Sequence, residues 1–302
     1  MIEKETLIQT IKEAGIEKGD LLNLKVSLKS IGKISGGPQT LIDAFLDVVG
    51  EEGTLVSDAF VETQFKSENQ RKVVNDDTPS YAGAVANTMI KHPDSYRSKH
   101  PIQKFIAIGR EARKLTENHK KGDFAYGVLK EMVNKKGKNI KIGPEEKVPG
   151  VGTTHIVLCE EGFEQDKIKK GVYYENKEGQ IQFFEVNWVG GCGFGFNNLM
   201  PLFKKKGAVL ADVPIGNTRL KVTDLEQTYA IEKKHLKEDP TSILCDDPGC
   251  ISCRLSWSFS DTSYFKFILQ HLFRGKFKKA LGAFYYKINS RKVKGQENIN
   301  FK

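Results

Sequence analysis

The chain has 302 residues, of which 39% are hydrophobic and 28% charged, and a net charge of +9. That balance is the balance of a folded domain, and it excludes a collagenous or disordered chain. It also excludes a membrane-spanning helix, since no apolar run reaches the length of a span.

The N-terminus, MIEKETLIQTIKEAGIEKGD, is charged throughout and lacks the apolar core of a signal peptide, so a cytoplasmic location is expected. Leu7, Ile8, Ile11, Ala14 and Ile16 have helical spacing, closed by Gly15 or Gly19. A short apolar run, Leu22 to Val26, reads as a buried strand. The loop Ser27-Leu28-Lys29-Ser30-Ile31-Gly32 and the pair Gly36-Gly37 come next, and Pro38 starts a helix through Leu41, Phe45 and Val49. A second strand begins at Thr54. Glycine and serine let backbone N–H groups approach a ligand, and the following helix presents its positive end, so an anion is the expected guest. The fingerprints of a P-loop or a dinucleotide fold are absent.

Glu62 to Asp76 is polar and without period, an expected exposed lid. Tyr81 to Ile90 reads as a helix, Phe105 to Ile108 as a strand, residues 110–121 and 128–133 as helices, and Asn139 to Ile142 as a strand. Thr153 or Thr154 opens a helix to Glu161 with His155 in its first turn. Val172 to Tyr174 and Ile181 to Val189 read as strands around a turn at Glu178-Gly179, followed by the run GGCGFGFNN. Lys206 to Ile215 adds a strand, and Asp224 starts a further helix. Alternating strands and helices predict an α/β fold with a mixed central sheet flanked by helices.

Three ordered blocks carry a resemblance. They are SLKSIGKISGGPQTLIDAFLDVVGEEGTLV, then Asp77-Thr78-Pro79-Ser80 with Gly83-Ala84-Val85, then Arg97-Ser98-Lys99-His100-Pro101 through Gly109. Over about residues 5–240 the chain resembles the aminoglycoside 3-N-acetyltransferase family, the antibiotic N-acetyltransferases outside the GNAT fold. The resemblance implies a coenzyme A-dependent N-acetyltransferase acting on an amino sugar, with acetyl-CoA as donor. It further implies that Ser27, Leu28, Lys29, Ser30, Ile31, Gly32, Gly36 and Gly37 hold the cofactor, with Thr78 and Ser80 completing the cradle. The acceptor is either an aminoglycoside or an amino sugar of surface polysaccharide synthesis.

The family keeps a catalytic histidine in a pattern like LGxxHxxNTxxHxAE, and this chain does not match it one for one. His155 is the single histidine in that region. As a general base it would take a proton from the amine, with Glu160 orienting it; the plain alternative is a first-turn histidine satisfied by its surroundings. His100 is the second candidate, facing acceptor or cofactor, or else ordering its loop. Lys25-Val26-Ser27 stands where the family usually has His-Ser-Ser. The displaced histidines leave a second reading open, a catalytically impaired binding or scaffold protein.

Residues 1–240 form the expected α/β domain and 241–302 an appendage. There, Cys245, Cys250 and Cys253 have the spacing C-x4-C-x2-C, which suits zinc if a fourth ligand such as Cys192 or an Asp is found; three reduced thiols are the alternative. From Thr262 to Gln296 there are nine basic residues and no acidic one, equal to the whole charge surplus. Phe265 to Val293 reads as a basic amphipathic helix interrupted at Gly275 and Gly282, fit for an anionic membrane surface or for docking on the body. No recognition motif accompanies the charge, so nucleic acid is not expected as a partner. The oligomeric state is not legible in the sequence.

Overall fold

The computed structural model describes residues 1–67, 71–260 and 262–295. Helix α1 (Lys4–Glu13) buries Leu7 and Ile11 and leads into strand β1 (Leu21–Val26). A short helix α2 (Leu28–Ile31) precedes α3 (Pro38–Val49), which has proline in its first turn and Leu41, Phe45 and Val48 on its buried side. Strand β2 (Thr54–Asp58) completes this unit. Strands β3 (Gln64–Phe65) and β4 (Val73–Val74) precede α4 (Ala84–Ile90), β5 (Ser95–Arg97), β6 (Phe105–Gly109), α5 (Ala112–Glu117), α6 (Gly127–Asn134), β7 (Lys138–Ile142) and α7 (Thr153–Glu160). Then come β8 (Glu164–Ile168), β9 (Lys170–Glu175), β10 (Ile181–Glu185), α8 (Met200–Lys205), β11 (Val209–Ile215), β12 (Thr218–Asp224) and α9 (Leu225–Glu238). Asp224 caps α9 as its sequence position suggests, its carboxylate accepting the Gln227 N–H at 2.9 Å. The appendage holds α10 (Ile251–Arg254), α11 (Tyr264–Phe273), α12 (Phe277–Asn289) and β13 (Ser290–Lys294).

The fold is the expected mixed α/β. Seven strands lie in the order β11-β12-β7-β1-β2-β6-β5. Strands β7, β1 and β2 are parallel to one another, and the outer pairings are antiparallel. Parallel strands are covered on both faces, which is why β1 and β2 read as apolar runs. One face packs α1, α3 and α4 through Leu7, Ile11, Leu41, Phe45, Val85 and Met89 against Leu22, Leu24, Leu55 and Ile140. The other packs α6, α7 and α9 through Leu129, Met132, Ile156, Val157 and Leu236 against Val56, Phe105 and Ala107. Side chains alternate along a strand, so Asn23 and Lys25 of β1 share that second face with their register partners Asn139 and Lys141 of β7. Asn23 Nδ2 donates to Asn139 Oδ1 at 3.1 Å, and Asn139 Nδ2 to Thr223 Oγ1 at 3.4 Å. A buried polar ladder thus crosses three strands, and the two lysines lie beyond it toward the carboxyl ends of β1 and β7.

Two expectations change. The polar lid is not free of structure: β3 and β4 both pair with β9, forming a second sheet with β10. Arg97 ties its far end down, donating to the carbonyls of Asp76, Thr78 (2.7 Å) and Ala59 (2.9 Å). The basic tail breaks at Gly275 (φ +67°), between α11 and α12, as its sequence suggests, but Gly282 lies inside α12 without interrupting it and Val293 lies in β13 rather than in a helix. Strand β13 pairs antiparallel with β8, so the appendage is stitched to residues 164–168 of the main domain. Among the described residues no helix is long and apolar enough to cross a membrane.

Candidate active site

Parallel strands bind ligands beyond their carboxyl ends, at the point where the chain leaves neighbouring strands in opposite directions. Here β1 connects through α3 to β2 on one side, and β7 joins it on the other. A cavity of about 1070 Å³ opens at that place. Its volume is at the top of the range for ligand sites, about 300–1,000 Å³, and leaves space for a donor and an acceptor together. Lys25 and Val26 line it from β1, Ser57 and Asp58 from β2, and Lys147, Val148 and Gly150 from the segment after β7. Gln165, Lys167 and Lys170 enter from β8 and β9, and Ser252 and Tyr286 from the appendage.

His155 is in this cavity. Its ring stacks on Tyr126 with centroids 4.6 Å apart and 3° between planes, and meets the edge of Phe196 at 4.8 Å. Its Nδ1 is buried and has no hydrogen-bond partner among the described residues. Burial holds its pKa well below the usual value, and the charges of Lys25 and Lys167 push the same way. The ring is therefore neutral at pH 7. Lys25 pairs with Asp58 at 3.3 Å, its side chain only 9% exposed. Lys167 is pushed down to about 8 by burial. Among the described residues no carboxylate lies within salt-bridge distance of its Nζ. Among the described residues, four lysines (25, 147, 167 and 170) line the cavity against two carboxylates, Asp58 and Glu62.

Several expected site residues are elsewhere. Glu160 does not orient His155. It sits at the far end of α7, where Lys130 Nζ reaches it at 2.8 Å and the Tyr229 hydroxyl donates to it. Five positions along a helix put it on another face. His100 is not among the residues lining the cavity: it is 1% exposed, and its Nδ1 accepts the N–H groups of Ile102 (3.2 Å) and Gln103 (2.9 Å). It stacks on His119 and abuts Trp188, and burial pushes its pKa down to about 2. These bonds tie its ring to its own loop.

The segment expected to cradle the cofactor lies beside the cavity rather than in its wall, starting one residue past Val26. Leu28 packs on the core and Ile31 is fully buried, so only their backbones are free to meet a ligand. Gly32, Gly36 and Gly37 all have positive φ. A Cβ on Gly32 would lie 2.9 Å from Asn217 Nδ2, whereas the space beside Gly37 is open. Ser27 and Ser30 bond to each other at 2.8 Å, and Lys29 is exposed. Thr78 Oγ1 is engaged with Asn75, and Ser80 Oγ donates to the Phe60 carbonyl at 2.9 Å, one residue before the cavity-lining Tyr81.

Sequence reasoning missed Asp58, Lys167, Tyr126 and Phe196. Asp58 was recoverable as the last residue of a strand parallel to β1; Phe196 lies in the Gly/aromatic run, which gave no hint of its partner. It also missed Glu232, fully buried on α9, whose carboxylate accepts the Thr154 hydroxyl at 2.6 Å. Burial raises its pKa to about 8, against the downward pull of that bond, so it stands protonated at neutral pH beneath the helix that carries His155. The four thiols of Cys192, Cys245, Cys250 and Cys253 lie within 4.8 Å of one another, joining the three expected cysteines to the Gly/aromatic run.

Residues 24–237 match the family model described as aminoglycoside 3-N-acetyltransferase. The aminoglycoside N(3)-acetyltransferase III of Salmonella sp is 30% identical over 137 residues, 40% of this chain and 48% of that protein. The chain thus matches about half the length of that curated relative. Among solved structures, AAC-VIa bound to sisomicin aligns with a TM-score of 0.67 at 21% identity, covering 78% of this chain and 97% of that one. AAC-IIIb in binary complex with CoASH aligns at 0.64 and 18% identity, covering 78% and 96%. At such identities these likenesses establish the fold.

Proposed function

The chain belongs to the aminoglycoside 3-N-acetyltransferase family, and from that premise we propose that it transfers an acetyl group from acetyl-CoA to the amine of an amino sugar. The observation that carries the reading is a neutral histidine, with one ring nitrogen unbonded among the described residues, in a large cavity at the carboxyl ends of three parallel strands. The amine nitrogen attacks the thioester carbonyl carbon, the amine proton passes to His155, and the coenzyme A thiolate leaves and takes up a proton. Lys25 and Lys167, the charges His155 feels, are placed to favour the oxyanion that forms at the carbonyl. The cofactor's phosphates would lie along Ser27, Lys29, Ser30 and Gly37.

Among the described residues, four lysines against two carboxylates in the cavity wall favour an acceptor that carries phosphate, such as a nucleotide-linked or lipid-linked amino sugar, over a polycationic aminoglycoside. Incubating the protein with acetyl-CoA and each class of acceptor, and following acetylated product by mass, tests this. A kcat/KM larger for phosphorylated amino sugars by about tenfold or more is expected, since one charge contact of 1.4 kcal/mol gives that factor. A preference for aminoglycosides overturns the acceptor assignment, and transfer to neither class overturns the enzyme in favour of a binding protein.

We further place the tail on an anionic lipid surface. Phe277, Leu281, Phe284 and Ile288 form one exposed stripe of α12, on the side away from the buried Ala283 and Tyr286, and Phe273 at the end of α11 is 88% exposed. Arg274, Lys276, Lys278 and Lys287 rim it with no acidic residue nearby in sequence. Co-sedimentation with phosphatidylglycerol-containing vesicles is expected, weakened by salt and abolished by Leu281→Glu. Failure to bind such vesicles, or a concentration-dependent dimer lost with the same substitution, overturns this assignment.

A further inference from the structure

We propose that Cys192, Cys245, Cys250 and Cys253 form a closed, structural zinc site that clamps the appendage to the wall of the active cavity. Zinc bound by four thiolates at about 2.3 Å is tetrahedral, which places the sulfurs about 3.8 Å apart. The four sulfurs here all lie within 4.8 Å of one another, so a small contraction around one ion completes the tetrahedron. All four are free thiols, and Cys253 is fully buried. On metallation each thiol releases its proton to solvent and no sulfur changes oxidation state.

The backbone around the sulfurs points the same way. The Cys192 sulfur receives the N–H groups of Phe194 and Gly195, the Cys250 sulfur that of Cys253, and the Cys253 sulfur that of Cys245 at 3.3 Å. Such N–H donors hold thiolate ligands in place and spread their charge. The dianion of four thiolates and one Zn²⁺ would also have cations at hand. The Arg254 guanidinium donates to the Cys245 carbonyl, and Lys279 Nζ to the Gly249 carbonyl at 3.0 Å.

Three ligands come from the segment Cys245 to Cys253, beyond the family match, and the fourth from the Gly/aromatic run inside it. Cys192 stands between Gly191 and Gly193, which both line the cavity. The two segments already touch closely. A Cβ on Gly195 would collide with the Ile243 carbonyl and lie 2.9 Å from Cys245 N, and Asn198 Nδ2 donates to Leu244 O at 2.9 Å. One ion therefore fixes both the loop that carries Phe196 against His155 and the start of the helices that supply Ser252 and Tyr286. The inference rests on the cysteine geometry and stands whether or not the chain transfers acetyl groups.

Metal analysis of the full chain, purified under reducing conditions without chelator, is expected to return about one zinc per chain. Cobalt added to the metal-stripped protein should give the intense thiolate-to-cobalt absorption of a tetrahedral four-sulfur site. Cys192→Ser should weaken cobalt binding at least ~100-fold, beyond the 10–100-fold lost with an outer-shell partner. Cys159→Ser, which removes the one thiol outside the cluster, should leave it unchanged. Stripped protein that takes up no cobalt overturns the proposal. So does cobalt uptake indifferent to Cys192→Ser, or a thiol count below five in unreduced, denatured wild type, which would mean a disulfide.

Discussion

Replacing His155 with alanine is expected to lower the rate of acetyl transfer roughly 10²–10⁴-fold while coenzyme A still binds. The histidine lines the cavity, its ring is fixed by Tyr126 and Phe196, and it bears an unpaired buried nitrogen. Glu160, the carboxylate expected to orient it, is held instead by Lys130 and Tyr229. Stacking between rings takes over that task. The sign of the pH dependence follows from burial. A histidine held well below its usual pKa is already neutral at that usual value and above it. It then contributes no inflection near pH 6.5. The rate should instead climb with pH as the acceptor amine loses its proton, and level off above the amine's own pKa. An inflection near 6.5 that vanishes in His155→Ala would contradict the burial argument. His100→Ala separates the two histidines: it removes an acceptor for two backbone N–H groups in the core and should lower stability by about 1–3 kcal/mol. Near-full turnover in His155→Ala would place the base elsewhere.

Ser30→Trp is expected to abolish coenzyme A binding and leave the fold intact. Ser30 is partly exposed on α2, immediately beyond the carboxyl end of β1, and its hydroxyl meets only Ser27. An indole there would cover the strip between Ser27, Lys29 and Gly37 without entering the core, which Leu28 and Ile31 fill. Variant and wild type should melt together without ligand, and only wild type should gain on adding it. Retained binding in the variant would move the cofactor away from this strip and into the cavity lined by Lys147 and Lys170.

The sequence made the central sheet legible because its parallel strands are buried on both faces and announce themselves as apolar runs. Helix α3 was legible from Pro38 and its spacing, and the start of α9 from Asp224. Strand β8, Glu-Gln-Asp-Lys-Ile, was not: it pairs with β13 and carries polar side chains that only tertiary contact explains. The two-residue strands of the lid are too short to have a period. Among site residues, position in the fold decided what residue type could not. His155 is in the cavity because α7 begins just after the β7 loop, whereas His100, in a block that reads as equally functional, is turned inward by two backbone N–H groups. Lys167 comes from a strand without an apolar signal. Cys192 could be matched with the other three cysteines only once the Gly/aromatic run was folded back on residues 243–245.

The most direct test is a calorimetric titration of wild-type protein with coenzyme A. Stoichiometric binding, accompanied by a rise in melting temperature that acetyl-CoA reproduces, is the predicted result. No heat and no thermal shift at millimolar coenzyme A would contradict the acyltransferase account.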